Sequence, residues 1–200
     1  MIRNRLAEIL FERDIKVVRM AKEIGISRNT ITNTASNNSE MLQMNTINKI
    51  CSYLKITPCE FFDYIPIDLE SDFIYSFTPI LKEIRNNPTM RDLIFDVDLL
   101  FDINYKNQKL KIDCKLIQKN TCINSLDIGK IMILHIETDK SQENDLIKVF
   151  NDIPKEFKKL IYNNLIKEFK NSLLKNFSGG DYEVLNDTTF EIDNDFLKYY

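Results

Sequence analysis

Tryptophan is absent from these 200 residues, histidine occurs once and glycine only four times. A single imidazole, His135, leaves little for histidine acid–base chemistry or for a structural zinc site. It sits in the apolar run IMILHIE and reads as a strand residue. Four glycines in all, none in a Gly-rich loop, leave nothing to cradle phosphates, so nucleotide chemistry has no support. The four cysteines (Cys51, Cys59, Cys114, Cys122) lack CxxC spacing and read as reduced, mostly buried thiols. No apolar run approaches the roughly 20 residues needed to span a bilayer. The start carries Arg3 and Arg5 among alternating polar residues, which is not a signal-peptide pattern. These absences lead to the expectation of a cytoplasmic protein without cofactor, metal or membrane contact.

What is present divides unevenly. An apolar content of 44% can bury a head of about 65 residues and a body of about 130. The boundary falls near Tyr64-Ile65-Pro66-Ile67-Asp68, because Pro66 biases Ile65 away from helix and the periodicity changes beyond it. Residues 1–66 hold nine Lys/Arg against seven Asp/Glu, and the remainder 18 against 23. A mildly basic head on an acidic body suits a nucleic-acid reader joined to something that does not touch nucleic acid.

Within the head, residues 15–35 read as helix, tight turn, helix. Met20-Ala21 lies on the inner face of the first helix and Gly25-Ile26 forms the corner, where glycine tolerates a left-handed backbone. Ser27 is placed to cap the second helix. That helix is polar on its outer side and carries no carboxylate, with Ile31 as its anchor into the core. Residues 3–14 set Leu6, Ile9 and Leu10 at helical spacing, and Ile47, Ile50, Cys51 and Leu54 form a later stripe. Thr57-Pro58-Cys59-Glu60 has the residues of a capping box, with Phe61 and Phe62 following.

This ordered series resembles the lambda-repressor-like helix-turn-helix domain of the Cro/C1 (XRE) family of DNA-binding regulators, over about residues 1–66. The resemblance implies an all-α head of five helices and double-stranded operator DNA as partner. Arg28, Asn29, Thr32 and Asn33, with Thr30 beside them, would face the bases, and Lys16, Arg19 and Ser27 would meet phosphates. The family usually places a polar residue, often Gln, near the start of its second helix. Here that region reads Lys16, Val17, Val18, so Lys16 or Arg19 would supply the contact. Family members commonly dimerise so that two recognition helices enter successive major grooves, and residues 67–200 would then serve as a dimerisation or effector domain.

The body reads as α+β, an antiparallel sheet with a long helix on one face. In residues 92–105 the odd positions are apolar and the even ones largely Asp, one strand of 14 residues. A turn at residues 106–109 leads to a second strand at 110–117, and IGKIMILHIET (128–138) makes a third. DYEVLND and TTFEID are a fourth and a fifth. Residues 68–90 could run extended to Thr78 and then form a short helix opened by Pro79. An acidic-capped segment spans 143–151. A helix opened by Pro154 carries Phe157, Leu160, Ile161, Leu165, Phe169, Leu173 and Phe177, and Ser178-Gly179-Gly180 would end it.

Three functions follow. The first is a sequence-specific transcriptional regulator, a phage- or mobile-element-type repressor acting as a homodimer and not as an enzyme. In the second, Asp92, Asp96, Asp98 and Asp102 line one strand face and occupy a basic groove on a protein partner. That layout is similar to some anti-CRISPR proteins, whose head represses their own promoter while the body blocks a nuclease. The third is a Mg²⁺-dependent nuclease: centring the hairpin on residues 107–108 sets Asp102 opposite Asp113, and Asp113-Cys114-Lys115 faintly resembles a PD-(D/E)xK motif. Aspartates of one strand paired with lysines of the next give the plainer account of the same residues.

Overall fold

A computed structural model describes residues 1–39, 41–84, 87–119, 123–124, 131–177 and 182–199. The chain divides into two compact units, Met1–Pro66 and Ile67–Tyr200.

The first unit contains helical segments α1 (Leu6–Glu12), α2 (Val17–Ile24), α3 (Arg28–Ala35), α4 (Met44–Leu54) and the four-residue α5 (Pro58–Phe61). Leu6, Ile9, Leu10, Met20, Ile31, Ile47, Ile50, Leu54 and Phe61 close one apolar cluster at its centre. Thr57 and Glu60 form the reciprocal capping box: the Thr57 amide donates to Glu60 Oε2 at 2.7 Å, and the Glu60 amide donates to Thr57 Oγ1 at 3.3 Å. Those bonds, the Thr57 amide first, hold the Glu60 carboxyl below the usual carboxylate range.

Helix alone does not describe this unit. Residues 2–4 lie outside α1, as strand β1 (Ile2–Asn4), which pairs antiparallel with β2 (Phe62–Tyr64). Arg3, buried in that ribbon, pairs with Glu8 and, at 2.7 Å, with Asp63. The ribbon ties the start of the unit to its end.

The second unit is rich in sheet. Its main sheet runs β10-β9-β7-β6-β3, made of β3 (Ile67–Tyr75), β6 (Val97–Tyr105), β7 (Gln108–Gln118), β9 (Ile131–Glu137) and β10 (Thr189–Ile192). A smaller sheet joins β4 (Ile80–Ile84), β5 (Asn87–Ile94) and β8 (Ile123–Asn124). Helix α6 (Lys140–Asn151) is capped by Asp139, whose carboxylate accepts from the Ser141 and Gln142 amides at 2.9 Å. Helix α7 (Lys155–Asn176) follows Pro154 and buries Phe157, Ile161, Leu165, Phe169 and Leu173. Phe169 sits within ring-contact distance of Phe73 on β3 and Phe190 on β10, which places α7 against one face of the main sheet. The chain then makes α8 (Tyr182–Asn186), β10 and a 3-10 turn at Asp195–Leu197. Burial pushes the Cys114 thiol on β7 up to about 11, so it stays protonated at neutral pH.

Several expectations for the body are corrected. Residues 92–105 are two strands in different sheets, broken at Phe95-Asp96. Pro79 opens strand β4 and not a helix. DYEVLND contributes α8 instead of a strand, with Leu185 buried. The main sheet is mixed: β10 returns parallel to β9 after the helices, while the other pairs are antiparallel. Ser178-Gly179-Gly180, Cys122 and residues 128–130 of the expected third strand lie outside the described residues.

Candidate nucleic-acid interface

Local chemistry sets the angle between α2 and α3. Gly25 ends α2 at φ +66°, and no atom lies within 4 Å of where a Cβ would stand, so backbone conformation and not space favours glycine. Ser27 is extended and its Oγ accepts from the Thr30 amide at 3.0 Å, which starts α3. Ile31 is fully buried and Thr34 nearly so. Buried Asn4 donates through Nδ2 to the Thr34 carbonyl at 2.7 Å and to Asn37 Oδ1 at 2.8 Å, tying the far end of α3 to β1.

With one side held this way, Arg28, Asn29, Thr30, Thr32 and Asn33 all face solvent. The side chains of Arg28, Asn29, Thr32 and Asn33 make no hydrogen bond or ion pair to any described residue. Thr30 differs, because its hydroxyl lies 2.8 Å from Ser27 Oγ and both are engaged in the first turn. Lys16 is exposed at the N-cap of α2 without a side-chain cap, so the first amides of that helix have no side-chain acceptor there. Arg19 is exposed and pairs with Glu23 at 2.9 Å. The Tyr53 hydroxyl, and after it Arg19, holds the Glu23 carboxyl below its ordinary value. Val17 packs on the core while Val18 is 58% exposed, so neither supplies a polar group at the start of α2.

A notch of about 390 Å³ opens beside α3, lined among others by Gly25, Thr30, Gln43, Asn45, Thr46 and Lys49. Gln43 is the N-cap of α4 and makes no capping bond. Gln43, Asn45 and Lys49 were not singled out in the sequence. Their signal is weak, since the N-cap of α4 is Gln43 and not Ser, Thr, Asp or Asn, and it gains meaning only beside α3.

Residues 5–66 match the family model of the Cro/C1-type HTH DNA-binding domain. The head is a Cro/C1-type helix-turn-helix domain. No curated protein and no solved structure matches the chain. The Cro/C1-type domain supports a DNA-binding transcriptional regulator.

The body's expected sites change more. Asp92 stands on β5 opposite Lys82, away from Asp98 and Asp102 on β6, so the four aspartates do not line one strand. Asp96 lies in the break and pairs with Lys115 at 3.2 Å. Asp98 also approaches Lys115, at 3.9 Å, and Asp102 pairs with Lys111 at 3.5 Å. The hairpin turns at Lys106-Asn107, both at positive φ, one position earlier than the nuclease reading requires. Asp102 therefore faces Lys111, and Asp113 faces Leu100. The supposed metal-binding pair is split by the register. Among the described residues no group of three or more His, Cys, Asp or Glu side chains is placed to hold a metal ion, and no helix is long and apolar enough to cross a membrane.

Proposed function

We propose that this protein is a sequence-specific transcriptional repressor, of the phage or mobile-element type, that reads its operator as a dimer. The observation that carries the proposal is the outer face of α3. Four exposed side chains able to contact base edges have no partner among the described residues, on a helix anchored from behind by Ile31. Arg28 and Asn29 stand in the first turn, where bidentate contacts to guanine and adenine are made. Asn33 lies one turn after Asn29, with Thr32 beside it. The uncapped starts of α2 and α4 offer amides to backbone phosphates, supported by Lys16 and Lys49. Arg19 can join them, since an exposed pair such as Arg19–Glu23 opens at little cost.

The head's small positive excess makes one copy a weak ligand, and two copies on a symmetric site multiply the contacts. The body would hold that dimer. The test is selection of duplexes from a randomised DNA library with the full chain, followed by footprinting. The expected result is a two-fold symmetric site with half-sites about one helical turn apart, lost in Arg28→Ala/Asn29→Ala. Enrichment of no sequence at low salt, or a site equally bound by that variant, would overturn the reading.

A further inference from the structure

Helix α7 lies against one face of the main sheet, and among the described residues Asp72, Ile74, Asp113, Lys115 and Glu137 are exposed on the other, the open face. On the open face the register sets Ile74, Asp98, Lys115 and Glu137 in one row, and Asp72, Leu100 and Asp113 in the next. Ile74 is 51% exposed. With half-buried Leu100 it floors a depression of about 580 Å³ rimmed by Asp98, Asp113, Glu137 and Lys115. In the following row Glu70 stands opposite Asp102, which in turn pairs with Lys111 at 3.5 Å. Lys115 is drawn to Asp96 and Asp98. Among the described residues no cation pairs with Asp72, Asp113 or Glu137, so an arriving cation breaks no existing pair.

A single exposed isoleucine needs no explanation. Two apolar side chains flooring a depression, inside a rim where Asp113 and Glu137 have no cation partner among the described residues, combine the two parts of a protein interface: an anchor pocket and a polar border. The sign selects the occupant. Nucleic acid would meet like charge here. A second copy packed on this face about a two-fold axis would set the same carboxylates against each other, a juxtaposition that disfavours association.

We propose that the open face of the body is a docking site for a basic protein partner. The partner inserts a large apolar side chain between Ile74 and Leu100 and sets lysines or arginines against Asp72, Asp113 and Glu137. The inference stands on the body alone and does not depend on the DNA reading.

The test is selection from a randomised peptide library on the full chain. Enriched peptides are then titrated against the parent protein and two surface variants, Ile74→Thr and Asp113→Asn/Glu137→Gln. Both variants alter exposed positions, and unchanged melting verifies their fold. The expected result is a class of peptides with Lys or Arg around a Leu, Ile, Phe or Met, bound by the parent and about tenfold weaker on each variant. No enriched class, peptides without basic excess, or unchanged binding to either variant would overturn the proposal. So would sedimentation showing a dimer that Ile74→Thr splits, because the occupant would then be a second copy. Operator binding by both variants should equal that of the parent, which keeps this test separate from that of the head.

Discussion

The outer face of α3 and the β6–β7 hairpin are both polar and exposed, yet they are built on opposite rules. On the hairpin, Asp98 and Asp102 find Lys115 and Lys111 on the neighbouring strand. On α3, Arg28, Asn29, Thr32 and Asn33 find no partner among the described residues, while Ile31 and Thr34 behind them are buried. Charges that answer one another across a strand pair make a solvated surface with little stored interaction. Unanswered donors and acceptors on a rigidly held helix are available to a ligand. The difference explains why a row of aspartates, conspicuous in the sequence, is mostly consumed within the fold. Among the described residues Asp72, Asp113 and Glu137 pair with no cation, and of these only Asp113 lies on the hairpin.

The largest effect that sharpens this contrast is on binding. Arg28→Ala/Asn29→Ala removes two potential bidentate contacts worth about 1–3 kcal/mol each, so specific DNA affinity should fall by at least thirtyfold or so. Thermal melting should barely move, and a matching loss of stability would mean that these side chains support the fold. Ile31→Ala reverses the pattern: about 2–5 kcal/mol of stability should go with the buried side chain, read as lost amide protection in α2 and α3. Ser27→Ala should cost about 1 kcal/mol by uncapping α3, again visible in denaturant melts.

Acid tests another cap. The folded-state pKa of Glu60 is lowered, so its capping contribution is present above the ordinary carboxylate value near pH 4 and fades as pH falls through the lowered one. Protection of the α5 amides should therefore drop in acid in the parent, and Glu60→Gln should flatten that dependence. The smallest effect belongs to the hairpin. Asp102→Asn should change stability by less than about 1 kcal/mol, and a large loss would show that the Asp/Lys row is structural after all.

The head was largely legible because its signals act over a few residues. A left-handed Gly25, the Ser27 cap and the Thr57-Pro58-Glu60 box each state a local backbone geometry, and apolar spacing finds the buried face of each helix. The β1–β2 ribbon was not legible, because Ile2 meets Tyr64 only once the helices between them have packed. In the body, the break at Phe95-Asp96 hides inside an unbroken alternation: Leu93 and Val97 are both buried, though they belong to different sheets.

The sequence by itself determined the helix-turn-helix, its caps and its anchors, and the long apolar stripe of α7. Only the tertiary structure decided which strands pair, that β10 runs parallel to β9, and that the Lys106-Asn107 turn sets Asp102 against a lysine and not a second carboxylate. The physical reason is range. Propensity and capping are fixed by neighbours in the chain, whereas register and sheet order are fixed by surfaces that meet only when distant segments fold together.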